Sequence, residues 1–306
     1  MELQLFQVDA FTTELFAGNP AGVVLNADGL NERQMQNIAR ELNNSETAFI
    51  FNTPGADYDI EVRFFTPTQE VPICGHATVS AHYVYAKSRG VTYGTVIQKT
   101  GAGKLPVTIA QEEGDISVLM TQGKVEFGAI LSAAQVESLL LGTGLPEGAL
   151  VTDLPVQIVS TGHSKVMVPL KSKALLEQVA LDESKLVALS REIGCNGFYL
   201  FTLESEEEGV LAAGRMFAPA IGITEDPVTG NANGPLGAYL THYGSLPANM
   251  QGSEFSIAQG EQMGRKGYMQ VLVFADKETV HKVQIKGRAR IVFETRLKLE
   301  PDPKLR

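Results

Sequence analysis

Hydrophobic and polar residues alternate at the start of the chain, and the period of the pattern then changes. Residues 3–8 (LQLFQV) alternate as in a half-buried strand, and 21–25 (AGVVL) predict a second strand. Apolar residues then recur at positions 30, 35, 38, 39 and 42, which is the spacing of an amphipathic helix. Residues 47–51 (TAFIF) return to a strand pattern. The opening of the chain therefore predicts two strands, a helix and a third strand.

The stretch 63–78 (RFFTPTQEVPICGHAT) predicts the next elements and a first candidate site. It contains an apolar strand, a polar loop broken by prolines, and the start of a helix of small residues that runs from about His76 to Lys87. The first backbone N–H groups of a helix have no acceptor within the helix, and they favour an anion. We therefore expect a carboxylate or phosphate to bind where this helix begins, at Gly75.

The same order of elements returns about 150 residues later. SREIG at 190–194 repeats ARELN at 39–43, RMFAP at 215–219 repeats RFFTP at 63–67, and PVTGNA at 227–232 repeats PICGHA at 72–77. The offset grows only from 151 to 155 residues, and the order is kept throughout. We interpret the chain as a duplicated α+β domain. The alternative is two unrelated halves that share glycine and proline at turns.

The repeat also predicts the domains. Each half is rich in strands and has one long apolar helix, which favours a curled sheet wrapped around that helix. We expect an N-terminal lobe over 1–130 and a C-terminal lobe over 131–306, and the final strand could pack back on the first lobe. The stretch 130–154 is interpreted as the linker.

Composition excludes several classes of protein. The 306 residues include 25 basic and 35 acidic side chains, and the net charge of −10 argues against nucleic-acid or membrane partners. The N-terminus has no signal-peptide pattern, and no apolar run approaches the roughly 18 residues of a membrane helix. Two cysteines exclude a disulfide framework and favour a reducing cytoplasm. The five histidines show no paired spacing, so no metal site is predicted.

The two copies differ where chemistry could lie. The first copy has Glu46, Cys74 and His76, and the corresponding positions of the second are Gly197, Thr229 and Asn231. Asp226 aligns with Val71. If the halves face each other, a cleft receives two helix starts, at Gly75 and Gly230, together with Glu46, His76, Asp226 and Asn231. A partly buried carboxylate there could act as general acid or base, and the helix starts could stabilise an enolate-like charge.

Each of these residues also has an ordinary structural interpretation. Glu46 could be a surface residue at a helix end, and His76 could lie exposed in a first helical turn. Asp226 before a proline could be a turn or N-cap residue. Cys74 is more often a small packing residue than a nucleophile. The turn at 259–265 (QGEQMGR) could bring Arg265 to an anionic ligand or could be a solvated loop.

Seven strings in order carry a resemblance to a known family. They are VDAF at 8–11, GNPA at 18–21, SETAF at 45–49, RFFTP at 63–67, EVPICGHAT at 70–78, EDPVTG at 225–230 and QGEQMGR at 259–265. Together they resemble the PhzF-like isomerases of phenazine biosynthesis over nearly the whole chain. The resemblance implies the diaminopimelate-epimerase-like fold, in which each of two similar lobes wraps a mostly antiparallel sheet around a helix.

The resemblance also implies an activity. Such enzymes are isomerases without cofactor or metal, usually homodimers, in which the glutamate that matches Glu46 moves a proton between two carbons of a dihydro-hydroxyanthranilate. It implies that His76 and Asp226 complete the catalytic set. The residues expected to bind the substrate are Ser45, Gly75, Ala77, Gly230 and Asn231. The phenazine enzymes carry serine where this chain has Asn231, and an amide presents its hydrogen bonds with a different geometry.

Three functions follow as hypotheses. The leading one is a cofactor-independent cytoplasmic isomerase that acts on a small carboxylate through Glu46. The second is a dehydratase or epimerase that uses Cys74 and Thr229, although racemases of this fold place a cysteine at both positions. The third is a non-catalytic protein that binds a small carboxylate.

Overall fold

The computed structural model describes residues 1–52, 57–205, 207–246, 254–276 and 279–299. Six α-helices lie in this part of the chain: α1 Glu32–Leu42, α2 Gly75–Arg89, α3 Ala133–Thr143, α4 Lys173–Glu177, α5 Glu183–Ile193 and α6 Gly230–His242. The strands of the first half are β1 Glu2–Ala10, β2 Asn19–Val24, β3 Thr47–Phe51, β4 Ile60–Phe65, β5 Glu70–Val71, β6 Gly94–Thr100, β7 Gly103–Glu112 and β8 Asp115–Thr121. Those of the second half are β9 Glu126–Ile130, β10 Gln157–Ser160, β11 Ser164–Pro169, β12 Phe198–Thr202, β13 Val210–Ala218, β14 Ile223–Asp226, β15 Glu254–Gln259, β16 Gly267–Asp276 and β17 Thr279–Lys298. None of the described helices is long and apolar enough to cross a membrane.

The chain forms two compact units. Unit 1 comprises residues 1–120 and the chain from 287 onward, and unit 2 comprises 121–286. β17 contributes to both, and its part in unit 1 pairs antiparallel with β1 from Ala289 to Lys298. The sequence predicted a boundary near residue 130, with a final strand that could pack back on the first lobe.

Unit 1 is a mostly antiparallel sheet with two parallel steps. β1 pairs antiparallel with β2, β2 parallel with β3, and β3 antiparallel with β4. β4 pairs antiparallel with β5 and parallel with β6, and β6, β7 and β8 follow as antiparallel neighbours. The α+β class predicted from the sequence is confirmed.

Unit 2 repeats this pairing strand by strand. β10 to β13 pair antiparallel, parallel and antiparallel in turn, as β1 to β4 do. β13 then pairs antiparallel with β14 and parallel with β15, and β15, β16 and the first part of β17 are antiparallel neighbours. Strand pairing is independent of side-chain similarity, so the match supports the duplication inferred from the sequence.

Each unit buries one helix almost completely. In α2 the residues from His76 to Val84 are all buried, and the helix packs on β1, β2, β3 and β7. In α6 nearly every residue is buried, and the helix packs on β10, β11 and β16. Both helices lack an apolar stripe because they are surrounded by the sheet on all sides. This explains why the sequence shows small residues there instead of a helical period.

A matched ion pair fixes the loop before each of these helices. Arg63 on β4 forms two hydrogen bonds with Glu70, of 2.7 and 2.6 Å, and Arg215 on β13 forms two of 2.8 Å with Glu225. Bidentate arginine–carboxylate pairs are directional as well as strong. The arginine of each RxF motif therefore holds the short strand that leads to the helix start.

The prediction of a linker at 130–154 is wrong. Helix α3 lies within it, and Leu139, Leu145 and Ala149 belong to the core of unit 2, where α3 packs on α5. The helix begins with a capping box in which Ser132 accepts from the Gln135 backbone and the Gln135 side chain accepts from Ser132 N–H. That signal was present in the sequence.

Candidate functional site

Glu46 lies in the short connection between α1 and β3. Helix α1 begins at the capping box of Asn31 and Gln34 and ends at Asn43, whose left-handed backbone (φ 52°) turns the chain toward β3. The carbonyl of Glu46 then accepts a hydrogen bond from Gly22 N–H at 3.2 Å, which joins it to β2. The backbone of Glu46 is therefore fixed by the end of α1 and by the hydrogen bond to β2. Its side chain is about 20% exposed.

The start of α2 brings His76 to Glu46. Nε2 of His76 lies 3.4 Å from Oε2 of Glu46 and 3.2 Å from Oγ of Ser45. Nδ1 lies 3.4 Å from Sγ of Cys74, and the same sulfur lies 4.0 Å from Nε2. The imidazole is buried, and its two nitrogens lie near a carboxylate, a hydroxyl and a thiol. These contacts allow proton transfer between the groups.

The N-terminal turn of α2 is open for a ligand. Cys74 occupies the N-cap position without a side-chain cap, and the first turn contains no acidic residue. A Cβ at Gly75 would meet nothing within 4 Å. The first helical bond runs from Thr78 N–H to Cys74 O, so the N–H groups of the preceding residues have no acceptor in the helix. These groups and the helix dipole favour a negatively charged ligand next to Glu46.

The start of α6 in unit 2 is built differently. The N-cap is Thr229, whose hydroxyl forms a short hydrogen bond to the Asp226 carboxylate. Gly230 is buried and carries the first helical position, where a Cβ would lie 2.8 Å from Cδ1 of Ile285. Asn231 is half-buried in the same turn. The carboxylate of Asp226 is thus tied to its own helix start.

Gln259, at the end of β15, holds this turn in place. Its Nε2 donates to Asp226 O at 2.7 Å and to Thr229 Oγ1 at 3.1 Å. Its Oε1 accepts from Thr229 N–H at 3.0 Å and from Asn233 Nδ2 at 2.9 Å. Tyr199 donates to Asn233 Oδ1 at 2.6 Å, and burial raises the pKa of that phenol, so it stays a neutral donor. A buried network with all of these bonds made fixes the α6 start rigidly.

A metal ion could bind beside the start of α2. The donor atoms of Glu46, Cys74 and His76 all lie within 4.8 Å of one another. A carboxylate, a thiolate and an imidazole are ligands that Zn²⁺ accepts. Residue spacing could not indicate this set, because Glu46 lies 28 residues before Cys74, far from the short spacings typical of metal motifs.

The structure brings together four residues that the sequence singled out: Ser45, Glu46, Cys74 and His76. Ala77 is completely buried, so only its backbone could meet a substrate. Asp226, Gly230 and Asn231 form the corresponding turn in unit 2. The sequence indicated no site role for Asn233, and it marked Gln259 only as the first residue of the QGEQMGR string. Their contact depends on the packing of β15 against the start of α6, which no local pattern predicts.

Comparison with known proteins assigns the family. Residues 8–295 match the PhzC-PhzF model, described as phenazine biosynthesis-like protein. A Clostridium acetobutylicum protein named as an uncharacterized isomerase is 52% identical over 295 residues, covering 96% of this chain and 98% of that protein. The trans-2,3-dihydro-3-hydroxyanthranilate isomerase of Pseudomonas aeruginosa is 29% identical over 289 residues, covering 94% and 97%.

Solved structures agree with these relatives. The PhzF-family phenazine biosynthesis protein of Bacillus anthracis superposes with a TM-score of 0.86 at 32% identity, covering 98% of this chain and all of that one. A hydroxyproline epimerase from Agrobacterium vitis shares the fold alone, with a TM-score of 0.59 at 13% identity over 97% of this chain and 91% of that one. The diaminopimelate-epimerase-like fold and the resemblance named from the sequence are confirmed. The chain belongs to the phenazine biosynthesis-like PhzC-PhzF family, a family of isomerases.

Proposed function

We propose that this chain moves a proton between two carbons of a small carboxylate-bearing substrate, without a cofactor, and that Glu46 is the general acid and base. One observation carries the proposal. The Glu46 carboxylate lies 3.4 Å from His76 Nε2, beside the open and uncapped N-terminus of α2. A general base and a helix N-terminus that favours an anion therefore lie next to each other within unit 1.

The chemistry follows from these two parts. The carboxylate of Glu46 removes a proton from a carbon next to the substrate's carboxyl or carbonyl group, and the C–H electron pair moves into an enolate. The N–H groups at Gly75 and the α2 dipole stabilise the negative charge that develops on oxygen. The acid proton of Glu46 exchanges with solvent, and the protonated Glu46 then delivers a proton to another carbon of the conjugated enolate, so that a C=C bond of the substrate shifts its position. No oxidant or reductant is required.

His76 and Ser45 support the acid. His76 Nε2 can donate to Glu46 Oε2, which orients the carboxylate, and Ser45 Oγ lies 3.2 Å from the same nitrogen. The roles assigned to Asp226, Gly230 and Asn231, and the cleft that would join the two halves, stay predictions of the sequence repeat. The homodimer stays a prediction of the family resemblance.

The test is hydrogen exchange on a candidate substrate. The protein is incubated in deuterated water with trans-2,3-dihydro-3-hydroxyanthranilate, the compound named for the Pseudomonas relative, and with related 2-carboxylates of unsaturated rings. We expect deuterium at the accepting carbon of the isomerised product. The Glu46→Gln variant keeps the shape of the side chain and removes the base, so it should lose exchange by about 10²–10⁴-fold. Unchanged exchange in that variant would contradict the mechanism.

The contact between Cys74 Sγ and His76 Nδ1 favours a second candidate, a dehydratase or epimerase that uses the thiol. An imidazole at 3.4 Å can take the thiol proton and generate a nucleophilic or basic thiolate. The partner position, Thr229, engages its hydroxyl with Asp226, so a symmetric pair of bases is not available there. Alkylation of Cys74 that abolishes activity in a protein tolerant of Glu46→Gln would support this candidate.

A non-catalytic role is the third candidate. It would be supported if the wild-type protein bound the same carboxylates without exchanging any C–H group. The contact of Glu46 with His76 counts against a non-catalytic role, because a site that only binds a carboxylate does not need an acid beside an imidazole.

A further inference from the structure

A pair of side-chain amides joins the turn that carries Glu46 to the first strand. Nε2 of Gln7 on β1 donates to Oδ1 of Asn44 at 2.9 Å, and Nδ2 of Asn44 donates to Oε1 of Gln7 at 2.9 Å. Both amides are partly buried. Two reciprocal hydrogen bonds fix the direction of the two side chains as well as their distance. They therefore attach the connection between α1 and β3 to the sheet at a point two residues before Glu46.

The same connection also lies close to β2. Gly22 on β2 pairs with Gln7 on β1, and its N–H donates to the carbonyl of Glu46 at 3.2 Å. A Cβ at position 22 would lie 2.7 Å from Oγ1 of Thr47, so a larger residue would push the connection away from the strand. Asn44 through its side chain and Glu46 through its carbonyl are thus attached to two residues that pair directly with each other.

The groups that contact His76 belong to this attached segment. Oγ of Ser45 lies 3.2 Å from Nε2 of His76, and Oε2 of Glu46 lies 3.4 Å from the same nitrogen. The imidazole is positioned separately, because helix α2 is buried along most of its length. The two distances to His76 therefore depend on where the sheet holds the connection, and the amide pair is one of its two attachments.

The second copy of the repeat shows which residues stand at these positions when the acid is absent. Position 197, which aligns with position 46, is a glycine. Its carbonyl accepts a hydrogen bond from Val166 N–H at 2.8 Å, and Val166 pairs with Ile158 on β10. Ile158 is thus the counterpart of Gln7 by strand pairing, and it also lies at the offset of 151 residues.

The copy without the acid also lacks the amide pair. Cys195 lies two residues before Gly197 and corresponds to Asn44. Its side chain is 1% exposed and belongs to the core cluster of unit 2, against which Ile158 also packs. An isoleucine and a thiol are therefore enough to build this connection into the fold. The amides stand in the copy whose connection carries a carboxylate.

We propose that Gln7 and Asn44 are positioning residues, whose paired amides hold Ser45 and Glu46 at the distance from His76 that proton transfer requires. This inference rests on the proposed function for the reaction, and it adds two residues that act through Glu46. A base displaced by about 1 Å loses roughly 10²-fold in rate. Loss of the pair should therefore lower kcat and leave KM nearly unchanged.

The exchange reaction provides the first test. Gln7→Met removes both hydrogen bonds and keeps the length of the side chain, so kcat for deuterium exchange should fall by about 10- to 100-fold, with KM within about threefold of the wild type. Asn44→Leu should have the same effect, and the double variant should lose no more than either single variant. Gln4→Met is the matched control, because Gln4 lies on the same strand and its exposed amide contacts Asn26 instead, at 3.5 Å. It should keep the wild-type kcat.

Exchanging the two amides separates positioning from stability. Gln7→Asn combined with Asn44→Gln keeps the summed length of the side chains and both hydrogen bonds, so kcat should return to within about threefold of the wild type. Gln7→Asn alone should stay low. The thermal midpoint of each variant shows that it is folded at the assay temperature. A lower midpoint in Gln7→Met with an unchanged kcat would reduce the pair to a structural role and overturn the proposal.

NMR of the ligand-free protein provides a readout that needs no substrate. The wild type should show Overhauser cross-peaks between the ring protons of His76 and the Cβ protons of Ser45, because Oγ of Ser45 lies 3.2 Å from the ring. These cross-peaks should weaken in Gln7→Met and persist in Gln4→Met. If no candidate carboxylate is turned over, unchanged cross-peaks in Gln7→Met would overturn the proposal.

The two proposals fail separately. Exchange that persists in Glu46→Gln would contradict the proposed function, and the cross-peaks of Gln7→Met would then decide the positioning role alone. Loss of exchange in Glu46→Gln with a normal kcat in Gln7→Met would contradict this inference alone.

Discussion

Glu46 and Gly197 occupy the same position of the repeat and differ in their side chains. In unit 1 the carboxylate of Glu46 lies 3.4 Å from Nε2 of His76. In unit 2 position 197 has no side chain, and the methylene chain of Lys165 on the neighbouring strand β11 fills the space that a Cβ would need. The repeat therefore carries the acid in one copy only.

The donor set at Glu46 leads to a prediction about metal ions. Zn²⁺ should inhibit the proton exchange, because binding by Cys74, His76 and Glu46 would occupy the base. Cys74→Ser removes the soft ligand and should weaken inhibition by about tenfold or more, while a chelator should restore activity. The measurement is the exchange rate against free Zn²⁺ concentration.

Cys195→Ser is the matched control, since Cys195 is only 1% exposed and lies in the core of unit 2. It should leave zinc inhibition unchanged. With Co²⁺ in place of Zn²⁺, a thiolate charge-transfer band should appear in the wild type and vanish in Cys74→Ser. Equal zinc sensitivity in both cysteine variants would contradict a site at Cys74.

At the scale of elements, helix α2 carries a histidine that makes stability depend on pH. His82 is completely buried, Nδ1 lies 3.0 Å from Thr78 O, and burial lowers its pKa to about 4. The unfolded chain binds a proton near pH 6.5, so it holds more protons than the folded state between these values. Stability should therefore fall as pH decreases, by roughly 2 kcal/mol between pH 7 and pH 5.

Urea unfolding at both pH values measures this contribution. In His82→Gln the part of the pH dependence of the free energy of unfolding that comes from His82 should disappear, whatever the variant's absolute stability. The exposed His281, paired with Asp276, provides the control, and His281→Gln should keep the wild-type slope. An identical pH slope in wild type and His82→Gln would show that His82 titrates normally in the folded protein.

The start of α6 depends on Gln259. Gln259→Leu leaves Thr229 N–H, Asn233 Nδ2 and Asp226 O without this partner, and we expect a loss of about 3 kcal/mol in the free energy of unfolding. Gln111→Leu changes an exposed glutamine on β7 and should cost less than about 0.5 kcal/mol. Denaturant unfolding of the two variants makes the comparison. Equal losses would mean that the Gln259 network contributes little to stability.

The elements were predictable to different degrees. α1 and β3 follow from apolar period and helix-end signals, and the α2 and α6 starts follow from proline and glycine before small residues. α3 was missed because the whole stretch 130–154 was interpreted as a linker despite the capping box at Ser132. Lys165 could not be predicted, because its contact with Gly197 depends on the parallel register of β11 and β12, whose residues lie 32 apart in the chain.

In the whole molecule, the last strand of the chain pairs with the first. Residues 289–298 of β17 pair with β1 inside unit 1, although they lie at the far end of the sequence. A chain that ends at Lys286 would leave β1 with its polar backbone unpaired on that side. We expect the β1 amides to lose protection from hydrogen exchange in this variant, while a chain that ends at Leu299 keeps it. Full protection of β1 in the shorter chain would contradict the role of the last strand.

The proposed function requires that Glu46, and not Cys74, moves the proton. The most direct measurement compares deuterium incorporation from deuterated water into the isomerised carboxylate by the wild type, Glu46→Gln and Cys74→Ser. Glu46→Gln should lose exchange by about 10²–10⁴-fold, and Cys74→Ser should keep it within about tenfold. Loss of exchange in Cys74→Ser with normal exchange in Glu46→Gln would contradict the role of Glu46 and assign the reaction to the thiol.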